Sequence, residues 1–426
     1  MTIPQSDDTD WGDKLGGHMA ALAAMDVPRR RRRRDARDND ALILDSAVTL
    51  LATEGWHGLI TSRLSEATGL STAPIRERFG DRGEVASAVW RQRLCDPFFT
   101  RLRDLVAATP HPREGHVDAH AFIDAMRPFQ DHDEILLAAS ELLIMARFDG
   151  QVADAVASTW SGWAASWLSP EPGALDPAQA ARHGFVISVA LGLLMMGRGV
   201  PQPPVRVDDQ LRVLVGALGT PIEPQPLPEE RAHHLDLGAV FDTDDPAWDA
   251  LLQATLDELG TRGYDGATLE IIARSAGYSR GIIQNRYSSK KEIVLDATRR
   301  MLAAAFVLNA EYSRMLSERY SVGLADAAFV RESMDPSRRL IRSISFEQVR
   351  MAWHDPEVAA AMADEVAAAR EALDRAGTDV SLDGTDAGWH FSLATGQGVA
   401  ALADLHPQAA DLPYDVVTVP LNERFS

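Results

Sequence analysis

The feature that most constrains the fold is an internal repeat, in which residues 54–84 align without a gap on residues 262–292. Shared residues fix the register, and Gly69 and Gly277, for example, lie 208 positions apart. Solenoid repeats recur every 20–50 residues or so, about a quarter of this distance or less. A period this long indicates two copies of a whole domain. We therefore predict two similar folding units in this chain of 426 residues.

The second copy has the pattern of two short helices joined by a glycine turn. Thr268 is placed to cap a helix that buries Ile271 and Ile272. Gly277 then allows a tight turn between helices that meet at a steep angle, and Ser279 is placed to cap the next helix. This arrangement is typical of helix-turn-helix proteins, in which the second helix enters the major groove of DNA.

The residues around this turn follow a longer pattern in both copies. In the second copy it consists of Gly263, Tyr264, Thr268, Ala276, Gly277, Ser279, Gly281, Tyr287, Lys290, Lys291 and Glu292. In the first copy it consists of Gly55, Trp56, Gly69, Leu70, Ser71, Ile75, Phe79, Asp81, Arg82 and Glu84. Both sets resemble the N-terminal DNA-binding domain of the TetR family of transcriptional regulators.

The resemblance implies an all-α fold of two tandem TetR-like units, each with an N-terminal three-helix head and a helical regulatory body. We expect a disordered lead at 1–28, a first head at 29–94, a first body at 95–199, a proline-rich linker at 200–241, a second head at 242–302 and a second body at 303–426. The linker is expected to be extended, apart from a short helix at 208–218.

TetR-like regulators ordinarily form dimers by pairing C-terminal helices from two subunits. This chain carries both units, so we expect helices at 178–197 and 386–403 to pack on each other as an intramolecular pseudo-dimer. Gly192 and Gly398 would permit close approach of the two helices. The recognition helices would then lie about one DNA turn apart, roughly 34–36 Å.

The resemblance, together with the arginine run beside the first head, indicates which side chains meet DNA. In the first head these are Arg29, Arg30, Arg31, Arg32, Arg33, Arg34, Thr61, Ser71, Thr72, Ala73, Pro74, Arg76, Arg78 and Arg82. In the second head they are Thr268, Tyr278, Ser279, Arg280, Gly281, Ile282, Gln284, Asn285, Arg286, Lys290 and Lys291. Gln284 and Asn285 suit adenine and Arg76 suits guanine, whereas Arg82, Lys290 and Lys291 are expected to hold phosphates.

The two heads differ in ways that affect DNA recognition. Six consecutive arginines at 29–34 predict an arm along the phosphates or in the minor groove; the alternative is a solvated charge run. The second head has acidic residues in that place. In the first head, Ile60 stands where the capping threonine belongs, and Pro74 lies in the first turn of the recognition helix, where proline is tolerated. We therefore expect an asymmetric operator.

Charge and composition set further limits. The chain has a formal net charge of −20, yet residues 29–94 hold 13 Arg against 9 acids, so an acidic body carries a locally basic head. No run of 18 apolar residues occurs and the N-terminus lacks a signal-peptide pattern, so we expect neither a membrane span nor export. A single cysteine, Cys95, fits a reducing cytoplasm.

The bodies offer candidate effector residues but no catalytic pattern. A small-molecule pocket is expected near Trp160, Trp163 and Met195 or near Met351, Trp353 and Trp389, although a tryptophan stripe also suits a core. His116 and His120 have metal-compatible spacing, but no further ligands complete a site, so no metal or other cofactor is expected. We find no nucleophile–base pair or phosphate loop, and do not expect an enzyme.

The sequence thus predicts a cytoplasmic, sequence-specific repressor that binds double-stranded DNA and is released by a small-molecule effector. Two alternatives stay open. Two chains could associate and present four heads. In the other alternative, the protein binds a ligand or a partner and its first head no longer contacts DNA.

Overall fold

The computed structural model describes residues 37–112, 118–168, 175–199, 206–232, 237–375 and 383–425. Throughout these ranges the regular secondary structure is helical, and no strand occurs in them. The predicted all-α class is therefore confirmed. The predicted lead at 1–28 lies outside the described residues.

The N-terminal half consists of helices joined by short turns. They are α1 (residues 37–53), α2 (Thr61–Thr68), α3 (Thr72–Phe79), α4 (Arg82–Val89), α5 (Cys95–Ala107), α6 (Ala119–Asp131), α7 (Glu134–Met145), α8 (Gly150–Trp167), α9 (Pro177–Gly199) and α10 (Asp208–Leu218). A π-helical turn, Trp90–Leu94, joins α4 to α5, so the chain stays helical from the head into the body.

The C-terminal half repeats this kind of organisation. Its helices are α11 (Pro246–Gly266), α12 (Leu269–Ser275), α13 (Arg280–Gln284), α14 (Lys290–Ser317), α15 (Val322–Ser333), α16 (Arg339–His354), α17 (Pro356–Arg375), α18 (Asp386–Leu405) and α19 (Asp415–Phe425). The helical geometry of α11 is broken at Gly263, where φ is 69°. Gly55 has a φ of 70° at the matching position after α1.

Polar side chains determine where many of these helices begin. The capping residues, whose side-chain oxygens accept backbone N–H groups of the first turn, include Asp81, Asp118, Asp133, Asp149, Asp245, Thr268, Ser289, Ser321 and Thr385. Such a cap stabilises a helix by about 1 kcal/mol. Part of the acidic composition of the chain is thus used at helix N-termini.

Helices α9 and α18 form the central seam, with their backbones in contact. A Cβ added at Gly192 would lie 1.7 Å from the carbonyl oxygen of Ala394, and one at Gly398 would lie 1.6 Å from that of Ser188. Only glycine allows such an approach. The sequence expectation that 178–197 and 386–403 pack on each other through these glycines matches the contacts described here.

The seam helix α9 is also long and apolar enough to cross a membrane. Its stretch Pro177–Gly197 has a mean hydropathy of 1.5, even though Arg182 and His183 interrupt the apolar run. In this structure 94% of the stretch is buried inside the protein. Arg182 donates to the carbonyl of Leu218 and His183 lies 3.1 Å from the carbonyl of Trp167, so both polar groups are satisfied internally. We therefore describe α9 as a core helix.

The segment predicted as a proline-rich linker is partly built into the core. The predicted helix at 208–218 is present as α10, and its residues Leu211, Leu214 and Leu218 are fully buried. Helix α10 packs against α19 near the end of the chain. Because Gln225 N donates to Asp415 over 2.7 Å, the described part of this segment is fastened to the C-terminal body rather than free in solution.

Candidate nucleic-acid interface

Each head contains a helix–turn–helix with the same backbone conformation at the turn. Gly69 after α2 has a φ of 69°, and Gly277 after α12 has a φ of 80°. No neighbouring atom would contact a Cβ at either position. Glycine is therefore required here by the left-handed backbone and not by crowding.

Each recognition helix is anchored by one isoleucine and exposes its other faces. In α3, Ile75 is buried while Ser71, Thr72, Ala73 and Arg76 are exposed and Pro74 is half-buried. In and around α13, Ile283 is buried while Tyr278, Ser279, Arg280, Gly281, Gln284 and Asn285 are exposed and Ile282 is half-buried. The residues predicted to read bases therefore face solvent in both heads.

The helix before the turn is capped in only one head. Thr268 accepts the backbone N–H of Ile271 at 3.2 Å and caps α12. In the first head Ile60 occupies the N-cap of α2, makes no capping hydrogen bond and is 43% exposed. Thr61, predicted as a DNA contact, is half-buried in the first turn of α2. The first head thus begins its motif with a weaker helix N-terminus.

Two cations assigned to DNA phosphates by the sequence bind aromatic rings of their own heads. The guanidinium of Arg82 lies 4.4 Å from the ring centroid of Trp56, and the ammonium of Lys290 lies 3.9 Å from that of Tyr264. Lys290 also donates to the carbonyl of Tyr264 at 2.6 Å. Burial lowers the pKa of both Arg82 and Lys290. Both side chains hold the end of the first head helix, a structural role that the sequence analysis missed.

Two further predicted DNA contacts form ion pairs within their heads. Arg78 pairs with Asp40 of α1, and Arg286 pairs with Asp245, the N-cap of α11. The guanidinium of Arg286 also lies 4.6 Å from the ring centroid of Trp248. Exposed pairs of this kind are worth at most about 1 kcal/mol, so a phosphate can compete for either arginine.

Lys291 connects the second head to the second body. Its ammonium pairs with Asp355 at 3.1 Å and with Glu357 at the start of α17. The hydrogen bonds to Glu357 and Asp355 raise the pKa of Lys291 to about 12. Arg76 and Arg280, in contrast, form no ion pair within the described parts of the chain. The predicted arm of Arg29 to Arg34 lies outside the described residues.

Each head rests on a buried glutamate that the sequence analysis did not assign to a site. The backbone N–H of Trp56 donates to Glu141 at 2.7 Å, and that of Tyr264 donates to Glu347 at 2.6 Å. Both carboxylates are fully buried. The two glutamates occupy equivalent positions in the repeat of the bodies, 206 residues apart. This equivalence was the signal that could have identified them.

The candidate effector residues do not divide into two separate groups as predicted. Trp160 and Trp163 are buried beside Phe99, with the rings of Phe99 and Trp163 stacked at 5.5 Å, as in a core. The indole N–H of Trp353 donates to the carbonyl of Met195 at 2.9 Å, which joins the two predicted groups. Met351 and Trp389 are also buried. In the residues that the structure describes, no group of three His, Cys, Asp or Glu could hold a metal ion, and His116 lies outside them.

Comparison with known families finds a match in the second head. Residues 251–297 match the family described as bacterial regulatory proteins, tetR family. The match extends from α11 through both helices of the motif into α14. No curated protein matches the chain. The family match supports a DNA-binding transcriptional regulator of the TetR family.

Proposed function

We propose that this protein is a cytoplasmic repressor that presents both heads to one DNA duplex as a covalent pseudo-dimer. The observation that carries the proposal is a contact between equivalent residues of the repeat. His57 Nδ1 lies 3.1 Å from Asp265 Oδ1, and positions 57 and 265 are 208 residues apart. Residues meet their own equivalents only near a two-fold axis. This contact supports a two-fold axis running between the heads.

A second contact of this kind supports the same axis at the seam. A Cβ added at Gly192 would lie 3.1 Å from the backbone nitrogen of Gly398, and these residues are equivalent in the repeat of the bodies. Heads related by such an axis present their recognition helices to the same side. A spacing of about one DNA turn, roughly 34–36 Å, would place both in successive major grooves of one duplex.

The two heads carry different base-reading side chains. Gln284, Asn285 and Arg280 are exposed on the second recognition helix, and Arg76 and Thr72 on the first. A bidentate contact contributes about 1–3 kcal/mol of discrimination between bases. The operator is therefore asymmetric, with one half-site for each head.

Regulation is proposed to follow from a small molecule that binds the bodies. An effector can release DNA only if it binds more tightly to the arrangement of heads that does not fit the duplex. Because Trp353 of α16 donates to Met195 of α9, one residue from each body, a ligand that displaced either would reach both bodies together.

Selection of bound fragments from genomic DNA, followed by fluorescence anisotropy on the best site, tests the proposal. Asn285→Ala and Arg76→Ala should each weaken that site about tenfold and relax preference in opposite half-sites. Arg314→Ala removes an exposed arginine from the body and should leave binding unchanged. Light scattering should show one chain per duplex.

Each failure has a distinct meaning. Loss of affinity in Asn285→Ala alone, with Arg76→Ala unaffected, would show that the first head does not contact DNA. A complex with two chains per duplex would refute the covalent pseudo-dimer. Absence of any selected sequence would refute the proposed function.

A further inference from the structure

One arginine lies between the two buried glutamates that support the heads. Arg350 is 1% exposed, and its guanidinium donates to Glu347 at 2.7 and 2.8 Å and to Glu141 at 3.1 Å. Glu141 belongs to α7 of the N-terminal half, whereas Glu347 and Arg350 lie on α16 of the C-terminal half. The guanidinium therefore bridges the two halves in the interior.

The same two carboxylates receive the backbone of both heads. Glu141 Oε1 accepts from both Trp56 N and Arg350, and Glu347 Oε1 accepts from both Tyr264 N and Arg350. Trp56 and Tyr264 stand at the ends of the first helices of the two heads. Arg350 is thus linked to the backbone of each head through one glutamate and two hydrogen bonds.

Each head is also packed against the opposite half at this point. A Cβ added at Gly55 would lie 2.2 Å from His354 Nε2, and one added at Gly263 would lie 3.2 Å from the ring of Phe148. His354 and Phe148 are equivalents, 206 residues apart. The backbone of each head therefore approaches the opposite half closely at this glycine.

The two halves contribute unequal charges to this cluster. Burial alone would raise the pKa of Glu141, but the hydrogen bond from His354 and the charge of Arg350 outweigh it and lower that pKa to about 2. The position equivalent to Arg350 is Ile144. A pair of N-terminal halves would therefore bury two glutamates without the arginine, a strongly unfavourable state. The N-terminal half thus depends on the C-terminal half for this arginine.

We propose that Arg350 is a positioning residue that fixes the separation of the two heads, and hence the spacing at which they meet DNA. The inference rests on the proposed function for its consequence at the operator. Its structural part, a fixed head separation, is independent of DNA.

The test measures head separation directly. Ala67 and Ser275 are equivalent, exposed positions on the two heads, so Ala67→Cys and Ser275→Cys in a Cys95→Ala background accept a pair of spin labels. Pulsed electron spin resonance should give a narrow distance distribution for this parent.

Arg350→Met should broaden the distance distribution at least twofold while the chain stays folded. If one conformer in ten then keeps the right spacing, operator affinity falls about tenfold.

A matched control separates positioning from loss of stability. Arg342 is likewise buried, and it pairs with Asp404 at 2.7 Å and donates to the carbonyls of Ser333 and Asp335. Asp404 also pairs with Arg147 of the N-terminal half, but this cluster contacts neither of the glutamates that support the heads. Arg342→Met should destabilise the chain and leave the distance distribution narrow. Arg350→Lys, which keeps the charge, should restore part of the narrow distribution. If Arg350→Met does not fold, Glu141→Gln should broaden the distribution in its place.

The outcomes are decisive for each claim. A folded Arg350→Met chain with the parental distribution overturns the inference, as does equal broadening in Arg342→Met. A broadened distribution in a protein whose parent selects no DNA supports the positioning role and refutes the proposed function instead.

Discussion

Replacing Gly398 by alanine should force α9 and α18 apart, whereas the same change at Gly396, two residues earlier on the same helix, should be harmless. A Cβ at position 398 would lie 1.6 Å from Ser188 O and 2.8 Å from Gly192 N, and real Cβ atoms essentially never approach below 3.0 Å. Both obstacles are backbone atoms, so no rotamer change relieves them. A Cβ at position 396 meets nothing within 4 Å.

The two variants differ only in packing, since alanine raises helix propensity equally in both. That gain is about 1 kcal/mol over glycine, so Gly396→Ala should stabilise the protein by up to that amount. Overpacking a rigid core costs about 1–3 kcal/mol or more, and the seam residues Leu191 and Leu194, fully buried at present, would lose contacts. We expect Gly398→Ala to be less stable than Gly396→Ala by about 3 kcal/mol.

Urea unfolding followed by tryptophan fluorescence measures the difference as a shift in midpoint, compared at equal slope. Gly398→Ala should unfold at lower urea than the parent, and Gly396→Ala at equal or higher urea. A midpoint for Gly398→Ala at or above that of Gly396→Ala would show that the two helices are not in backbone contact, and would remove one of the two contacts that support the two-fold axis.

Two predictions concern pH. The pKa of Glu141 is lowered from 4.5 to about 2, so its charged form contributes stability that is present above pH 4.5 and lost as pH falls toward 2, about 3 kcal/mol in all. In Glu141→Gln the unfolding midpoint should therefore depend less on pH across this range. The same loss of stability at low pH in parent and variant would contradict the role of this carboxylate. Burial raises the pKa of Glu365 to about 7, so the stability of its protonated form is lost as pH rises through 7. Glu365→Gln should therefore be more stable than the parent at pH 8, by about 1–3 kcal/mol, and equally stable at pH 4, below the ordinary pKa of glutamate. The opposite order would show that Arg299, 3.8 Å from this carboxylate, stabilises its charge.

The elements that the sequence predicted well depend on local signals. Helix 208–218 is present with those bounds, because an acidic first turn precedes a regular apolar period. The turn glycines Gly69 and Gly277 have the left-handed backbone that their place between two helices required. Gly192 and Gly398 were identified as small residues on long apolar helices, and such residues allow close packing.

The elements that it missed depend on contacts between distant parts of the chain. Lys290 follows a recognition helix and looks like a phosphate ligand, and only the fold reveals the ring of Tyr264 beneath it. Arg350 gave no signal at all, because the equivalent position holds Ile144 and the repeat is broken there. Met195 and Trp353 were assigned to different bodies, and their hydrogen bond crosses 158 residues of sequence. Periodicity cannot predict such pairings.

The proposed tandem arrangement explains why the contact region between the two halves carries unlike residues at equivalent positions. Near the axis of a true homodimer each residue faces its own copy, so a histidine would meet a histidine and a buried glutamate a glutamate. In one chain the two positions can differ, and here His57 meets Asp265, while the position equivalent to Arg350 holds Ile144. Such complementary pairs favour unlike halves and disfavour pairing of like halves. The same freedom allows the recognition helices to differ, so an asymmetric operator and an asymmetric contact between the halves would have one cause, the covalent fusion of the two units.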